Sequence, residues 1–154
     1  TVTAGTASPL TDGGSATLVC EEEYARSNKL PIIARIKSTA INGCPPELMG
    51  LGPISASKKA LTRADLNIND IDIIELNEAF ASQSLACIKE LQINSSKVNI
   101  EGGAIALGHP LGATGVRITA KAASLMNENN KRYALATQCI GLGQGIATVL
   151  ERVE

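Results

Sequence analysis

Apolar positions along this chain change spacing repeatedly, from short runs to a three-to-four-residue rhythm and back, and the changes predict where strands and helices alternate. Residues 16–20 form an apolar run after the turn-forming Asp12-Gly13-Gly14, which predicts a buried strand. The charged residues 21–30 predict a short exposed helix stopped by Pro31, and residues 32–36 predict a second strand. Glycine and proline punctuate residues 43–53, an irregular connection, and Pro53 is suited to start a helix through Ala64. Residues 71–76, with isoleucine on both faces, predict a buried strand, followed by helical spacing at Ala81, Leu85 and Ile88. Residues 98–100 read as a short extended piece. Beyond the glycine-rich residues 102–115, Ile118, Ala122, Leu125 and Met126 fall on one helical face. Residues 133–139 and 144–150 read as strands joined by Gly141-Leu142-Gly143, the pattern of a hairpin. The resulting expectation is one α/β domain over residues 1–154, a mixed β-sheet flanked by helices, with no internal repeat.

Composition narrows the function classes. Aromatic residues make up only 2% of the 154, with no Trp, one Phe and two Tyr, so base stacking on single-stranded nucleic acid has almost no residues to use. Fourteen basic and fifteen acidic residues give a net charge of -1, so any phosphate has to be met by local groups rather than by an overall field. No run of about 20 apolar residues predicts a membrane span. Cys20, Cys44, Cys87 and Cys139 lack the short paired spacing of a zinc site, and His109 is the single histidine, so no metal is expected. Reduced thiols are the simplest expectation, with Cys20 and Cys87 as buried apolar cysteines and Cys44, beside Pro45-Pro46, as a loop thiol.

Three polar residues stand where predicted elements end. His109 lies among glycines and next to Pro110, which restricts how the imidazole is presented; its alternative is a plain turn residue. Gly103 and Gly108 have the separation of a phosphate loop, but His109-Pro110 occupies the place of that loop's Lys and Ser or Thr. Cys139 ends a strand before Gly141-Leu142-Gly143-Gln144-Gly145, where backbone N–H groups could form an oxyanion hole; its alternative is a buried structural thiol. Asn77 follows a strand directly, as an amide that holds a water or a substrate oxygen, or as an N-cap of the next helix.

Together, Asn77-Glu78-Ala79-Phe80, the block from Gly102 to Pro110 and the block from Cys139 to Gly145 resemble the thiolase family, in family order. The opening Thr1-Val2-Thr3-Ala4-Gly5 to Asp12-Gly13 and Met49-Gly50-Leu51-Gly52-Pro53 extend the likeness over nearly the whole chain. It matches only the family's C-terminal part. The resemblance implies a thiolase-like half of layered α/β form, and a nucleophilic cysteine supplied by an N-terminal domain outside these residues. It implies that His109 activates that nucleophile and helps hold the thioester oxygen, and that Asn77 acts through an ordered water. Cys139 becomes the second acid/base and the Gly141 N–H an oxyanion donor, while Ser8, Met49 and Phe80 match positions lining the pantetheine and acyl site.

The implied reaction is thiolysis of 3-ketoacyl-CoA by coenzyme A, or the reverse condensation, with coenzyme A as substrate and no resident cofactor. The ending through residues 148–153 looks more like degradative thiolases of fatty-acid β-oxidation than biosynthetic ones, while Thr6 and Thr11 depart from the Asn many relatives carry. A homo-oligomer is implied for the full-length protein, in the cytoplasm or alternatively a mitochondrial or peroxisomal matrix. The other readings are a cysteine hydrolase using Cys139, His109 and Asn77, and a non-catalytic assembly module.

Overall fold

Strand and helix fall where side chains can be buried on both sides of one sheet. A computed structural model describes residues 2–153; Thr1, part of the opening motif, and Glu154 lie outside the described residues. The strands are β1 (Arg35–Gly43), β2 (Ile73–Leu76), β3 (Tyr133–Ile140) and β4 (Gln144–Glu151), in the order β1-β4-β3-β2. β1 and β3 pair with β4 antiparallel, and β2 pairs with β3 parallel, so the sheet is mixed as expected. The helices are α1 (Glu22–Ser27), α2 (Gly52–Ala64), α3 (Ala81–Glu90), α4 (Ala104–Leu107) and α5 (Leu111–Glu128).

Alternation along each strand divides the core in two. Ile74 and Leu76 of β2, Leu135 of β3, and Ala147 and Val149 of β4 pack with Ala56, Ala60 and Leu61 of α2 and Cys87 of α3. Their neighbours Ile73, Ala134, Ala136 and Leu150 pack with Ile118, Ala122, Leu125 and Met126 of α5. Helices on both faces explain why β2 is buried at every position, Glu75 included, instead of alternating between buried and exposed. α2 lies unusually close to the sheet, because a Cβ on Gly145 of β4 would overlap the Gly52 and Pro53 main chain, and a Cβ on Gly52 would overlap Gln144 and Gly145. Two glycine backbones therefore do the spacing that side chains do elsewhere.

Six expectations need correction. Residues 16–20 form no strand and lie exposed, Leu18 at 76% and Val19 at 67%, because the sheet offers them no position among the described residues. Cys20, in the same run, is exposed rather than buried. The strand expected over residues 32–36 begins only at Arg35 and continues to Gly43. It was hidden because β1 is an edge strand with polar residues facing α2: the Ser38 hydroxyl donates to Ala60 O at 2.7 Å and the Asn42 amide to Ser55 Oγ at 2.9 Å. Finally, α1 is shorter than residues 21–30, and residues 46–51 of the supposedly irregular connection form a 3-10 turn leading into α2. The extended piece at residues 98–100 reduces to one parallel bridge, Val98 to Ile74.

Candidate active site

The parallel pairing of β2 and β3 sends both strands out at the same edge of the sheet. Leu76 stands opposite Thr137, and the next backbone N–H, that of Asn77, donates to Thr137 O at 3.0 Å. Asn77 follows β2 directly, and Cys139, still paired within β3, lies two residues beyond the Thr137 that faces Leu76. Asn77 is 1% exposed and is not a helix cap, since α3 starts after Phe80. Its side-chain nitrogen lies 3.2 Å from His109 Nε2, and its Oδ1 is buried with no partner among the described residues. A buried amide oxygen without a partner is costly unless something else satisfies it, which marks a place for a bound polar atom.

His109 is held from several sides. Its Nδ1 lies 2.7 Å from Thr114 Oγ1 on α5, and its backbone N–H donates to Thr11 Oγ1 at 3.1 Å. The preceding Gly108 has φ +99, and a Cβ there would overlap the Thr11 side chain. That conformation and that crowding require glycine. Burial, reinforced by the nearby Arg117 guanidinium, holds the His109 pKa below the usual 6.5, so the ring is a neutral base near pH 7.

Glu78 and Asn99 brace the loop that carries His109. The Glu78 carboxylate accepts from the Asn99 amide at 2.8 Å and from the Ile105 N–H at 3.1 Å, capping the short α4. Asn99, at φ +46, accepts from the Leu76 N–H at 2.9 Å and donates to Leu76 O at 2.8 Å, taking the place of a further strand. A Cβ on Gly103 would fall on the Glu78 carboxylate and push it off its Asn99 and Ile105 partners. Sequence reasoning passed over Glu78, Asn99, Thr11 and Thr114. Glu78 sits inside a quoted motif, Thr11 in the opening segment and Thr114 in the glycine-rich residues 102–115, whereas nothing local marks Asn99, whose role depends on chain 23 residues away.

Cys139 is 8% exposed and pairs with Gly145 across the hairpin. Burial raises its pKa, only partly offset by a backbone hydrogen bond, so the resting group is a protonated thiol. Among the described residues it forms no hydrogen bond with His109 or Asn77. The three hairpin glycines differ in role: Gly145 packs on Gly52, Gly143 at φ +90 meets Cys44 and Pro46, and Gly141 has open space around it. The exposed Gly141 N–H donates to no backbone carbonyl among the described residues. Ser8 lies against the Asn77 loop, its N–H and hydroxyl both directed at Ala79 O, 3.1 and 3.3 Å away. Phe80 is half-buried and bridges to Ala7. Met49 sits in the turn before α2, beside Gly50, whose carbonyl accepts from the Cys87 thiol at 3.4 Å. Among the described residues no group of three His, Cys, Asp or Glu side chains could hold a metal, and no helix is long and apolar enough to cross a membrane.

A family model described as "Thiolase, C-terminal domain" matches residues 30–152. A 3-ketoacyl-CoA thiolase of Shewanella sp. (strain ANA-3) is 58% identical over 156 residues, covering 99% of this chain and 40% of the relative. One from Pseudoalteromonas translucida is 58% identical over 157 residues, covering 100% and 40%. The chain therefore spans 40% of the length of these curated relatives. Among solved structures, human mitochondrial 3-ketoacyl-CoA thiolase superposes with a TM-score of 0.97 at 43% identity, over 99% of this chain and 39% of that one. The same human protein is also known in complex with CoA, and an acetyl-CoA acetyltransferase of Bacillus anthracis superposes at 0.96 with 40% identity.

Proposed function

The chain belongs to the thiolase family, matching its C-terminal domain, and on that premise we propose that it supplies the acid–base half of a 3-ketoacyl-CoA thiolase site. The observation that carries the reading is the contact line Thr114–His109–Asn77, with Cys139 two residues beyond Thr137 at the same end of the parallel pair β2–β3. His109 takes the proton of a nucleophilic cysteine from the N-terminal part, and the thiolate attacks the 3-keto carbon of the substrate. The C2–C3 bond then breaks, and the acetyl-CoA enolate takes the Cys139 proton at C2. The Cys139 thiolate recovers a proton from the thiol of coenzyme A, which attacks the acyl-enzyme; the shortened acyl-CoA departs, and the freed cysteine thiolate takes its proton back from His109. Asn77, with its unpartnered Oδ1, would hold the water that helps bind the thioester oxygen, and the free Gly141 N–H would meet the other developing oxyanion. A raised thiol pKa suits this role, because Cys139 must first be a donor.

Coenzyme A is substrate here, and the chemistry requires no resident cofactor. Ser8, Met49 and Phe80 would border the pantetheine and acyl groups. Full-length copies would associate as homo-oligomers, in the cytoplasm or a mitochondrial or peroxisomal matrix. The Cys-His-Asn hydrolase reading is weaker, because both imidazole nitrogens face Thr114 and Asn77 instead of the Cys139 thiol.

The test is Cys139→Ala in enzyme assembled with the N-terminal domain. Acetyl-CoA should still acylate the enzyme, while condensation and thiolysis fall by about a hundredfold or more. Acylation mapping to Cys139 itself would sink the assignment. The 154 residues alone should not cleave acetoacetyl-CoA, and robust thiolysis by them would refute the half-site reading.

A further inference from the structure

We propose that Thr114 is a positioning residue that sets the tautomer of His109, placing the ring hydrogen on Nδ1 and the basic lone pair on Nε2, an inference that rests on the acyl-transfer reading above. A threonine hydroxyl has one hydrogen to give. Thr114 Oγ1 lies 3.0 Å from Pro110 O in donor geometry, the bond back to residue i−4 that threonine makes in helices. With its hydrogen directed there, the hydroxyl meets His109 Nδ1, 2.7 Å away, as an acceptor. Nδ1 then carries hydrogen and Nε2 carries the lone pair, which receives the Asn77 amide 3.2 Å away.

Burial keeps this assignment from being exchanged with solvent. Thr114 is fully buried and Asn77 nearly so, and a water held at Asn77 Oδ1 would leave both contacts to the ring in place. The opposite tautomer would need two changes together: the hydroxyl would have to turn from Pro110 O to Nδ1, and the Asn77 amide would have to present its oxygen. The functional consequence is direct, since a ring that is to accept a thiol proton at Nε2 has to start with that atom bare. Thr114 touches no reacting atom; it acts through the imidazole.

His109 is the only histidine in the chain, so the unaltered protein labelled with nitrogen-15 histidine yields one pair of ring-nitrogen signals. With the ring neutral, the expected spectrum has a protonated Nδ1 and a bare Nε2, the reverse of the form an unconstrained imidazole favours in water. Thr114→Ser should keep that pattern, and Thr114→Val, which retains the shape and removes the hydroxyl, should shift the ring towards Nε2–H. An Nε2–H ring in the unaltered chain overturns the inference, as does an unchanged pattern in Thr114→Val. Should the valine variant not fold, the spectra of the unaltered chain and the serine variant still decide it. In enzyme assembled with the N-terminal domain, Thr114→Val should lower kcat at least about tenfold with KM little changed, and Thr114→Ser should restore it. A wrong tautomer leaves the acyl-transfer reading standing, whereas acylation at Cys139 defeats that reading whatever the tautomer.

Discussion

Single residues in this fold are governed by what burial does to charge. Glu75 on β2 is 5% exposed, and burial pushes its pKa from 4.5 to about 7, with Glu78 and Glu101 adding to the rise and Lys121 and Arg117 opposing it. The folded state therefore holds a proton that the unfolded chain has released across that interval. The associated stability is fully present below pH 4.5 and is lost as pH rises through about 7. By the linkage relation the loss is roughly 3 kcal/mol. Glu75→Gln keeps the neutral form at every pH, so denaturation midpoints of the variant relative to the parent should improve as pH rises over this range. A difference independent of pH would show that Glu75 ionises normally. His109, held below 6.5, acts in the opposite sense, but it is common to both proteins and cancels in the comparison.

At the scale of elements, two crossings hold the candidate site in shape. One is the seating of the α2 N-terminus on the β4 hairpin through Gly52 and Gly145. Gly145→Ala should cost about 1–3 kcal/mol or more in chemical denaturation, because main chain on the other side cannot move aside as a side chain could. Gly141→Ala, with nothing within 4 Å of the new methyl, should stay within about 0.5 kcal/mol. Equal effects at both glycines would mean that the hairpin and not the crossing sets the cost. The other crossing is the Glu78 carboxylate under α4, which joins the loop after β2 to the loop before His109.

For the whole molecule, the informative feature is apolar surface. Leu10, Leu18, Leu111 and Leu142 are exposed at 106%, 76%, 82% and 87%, and the residue 16–20 run that should be buried lies open. Covering such side chains with a second surface would remove apolar area from water. The 154-residue chain is therefore expected to self-associate, with mean mass in sedimentation velocity rising with concentration. A monomer at all concentrations would show that these leucines are not contact surface.

Apolar spacing in the sequence determined β2, α3 and α5, because burying a strand or a helix face leaves its period in the residues that do it, while Pro53 marked the start of α2 and Gly141 and Gly143 the hairpin. The glycine- and proline-rich motifs likewise marked His109, Asn77 and Cys139, since conformations such as Gly108 at φ +99 leave a trace in residue type. Only the tertiary structure decided that residues 16–20 stay outside the sheet, that the polar edge strand β1 exists, and that Asn77 bonds His109 instead of capping α3. It alone brought Thr114, Glu78 and Asn99 to the imidazole loop. Those outcomes turn on which partner a polar group finds across the fold, and a local pattern of apolar spacing carries no record of that choice.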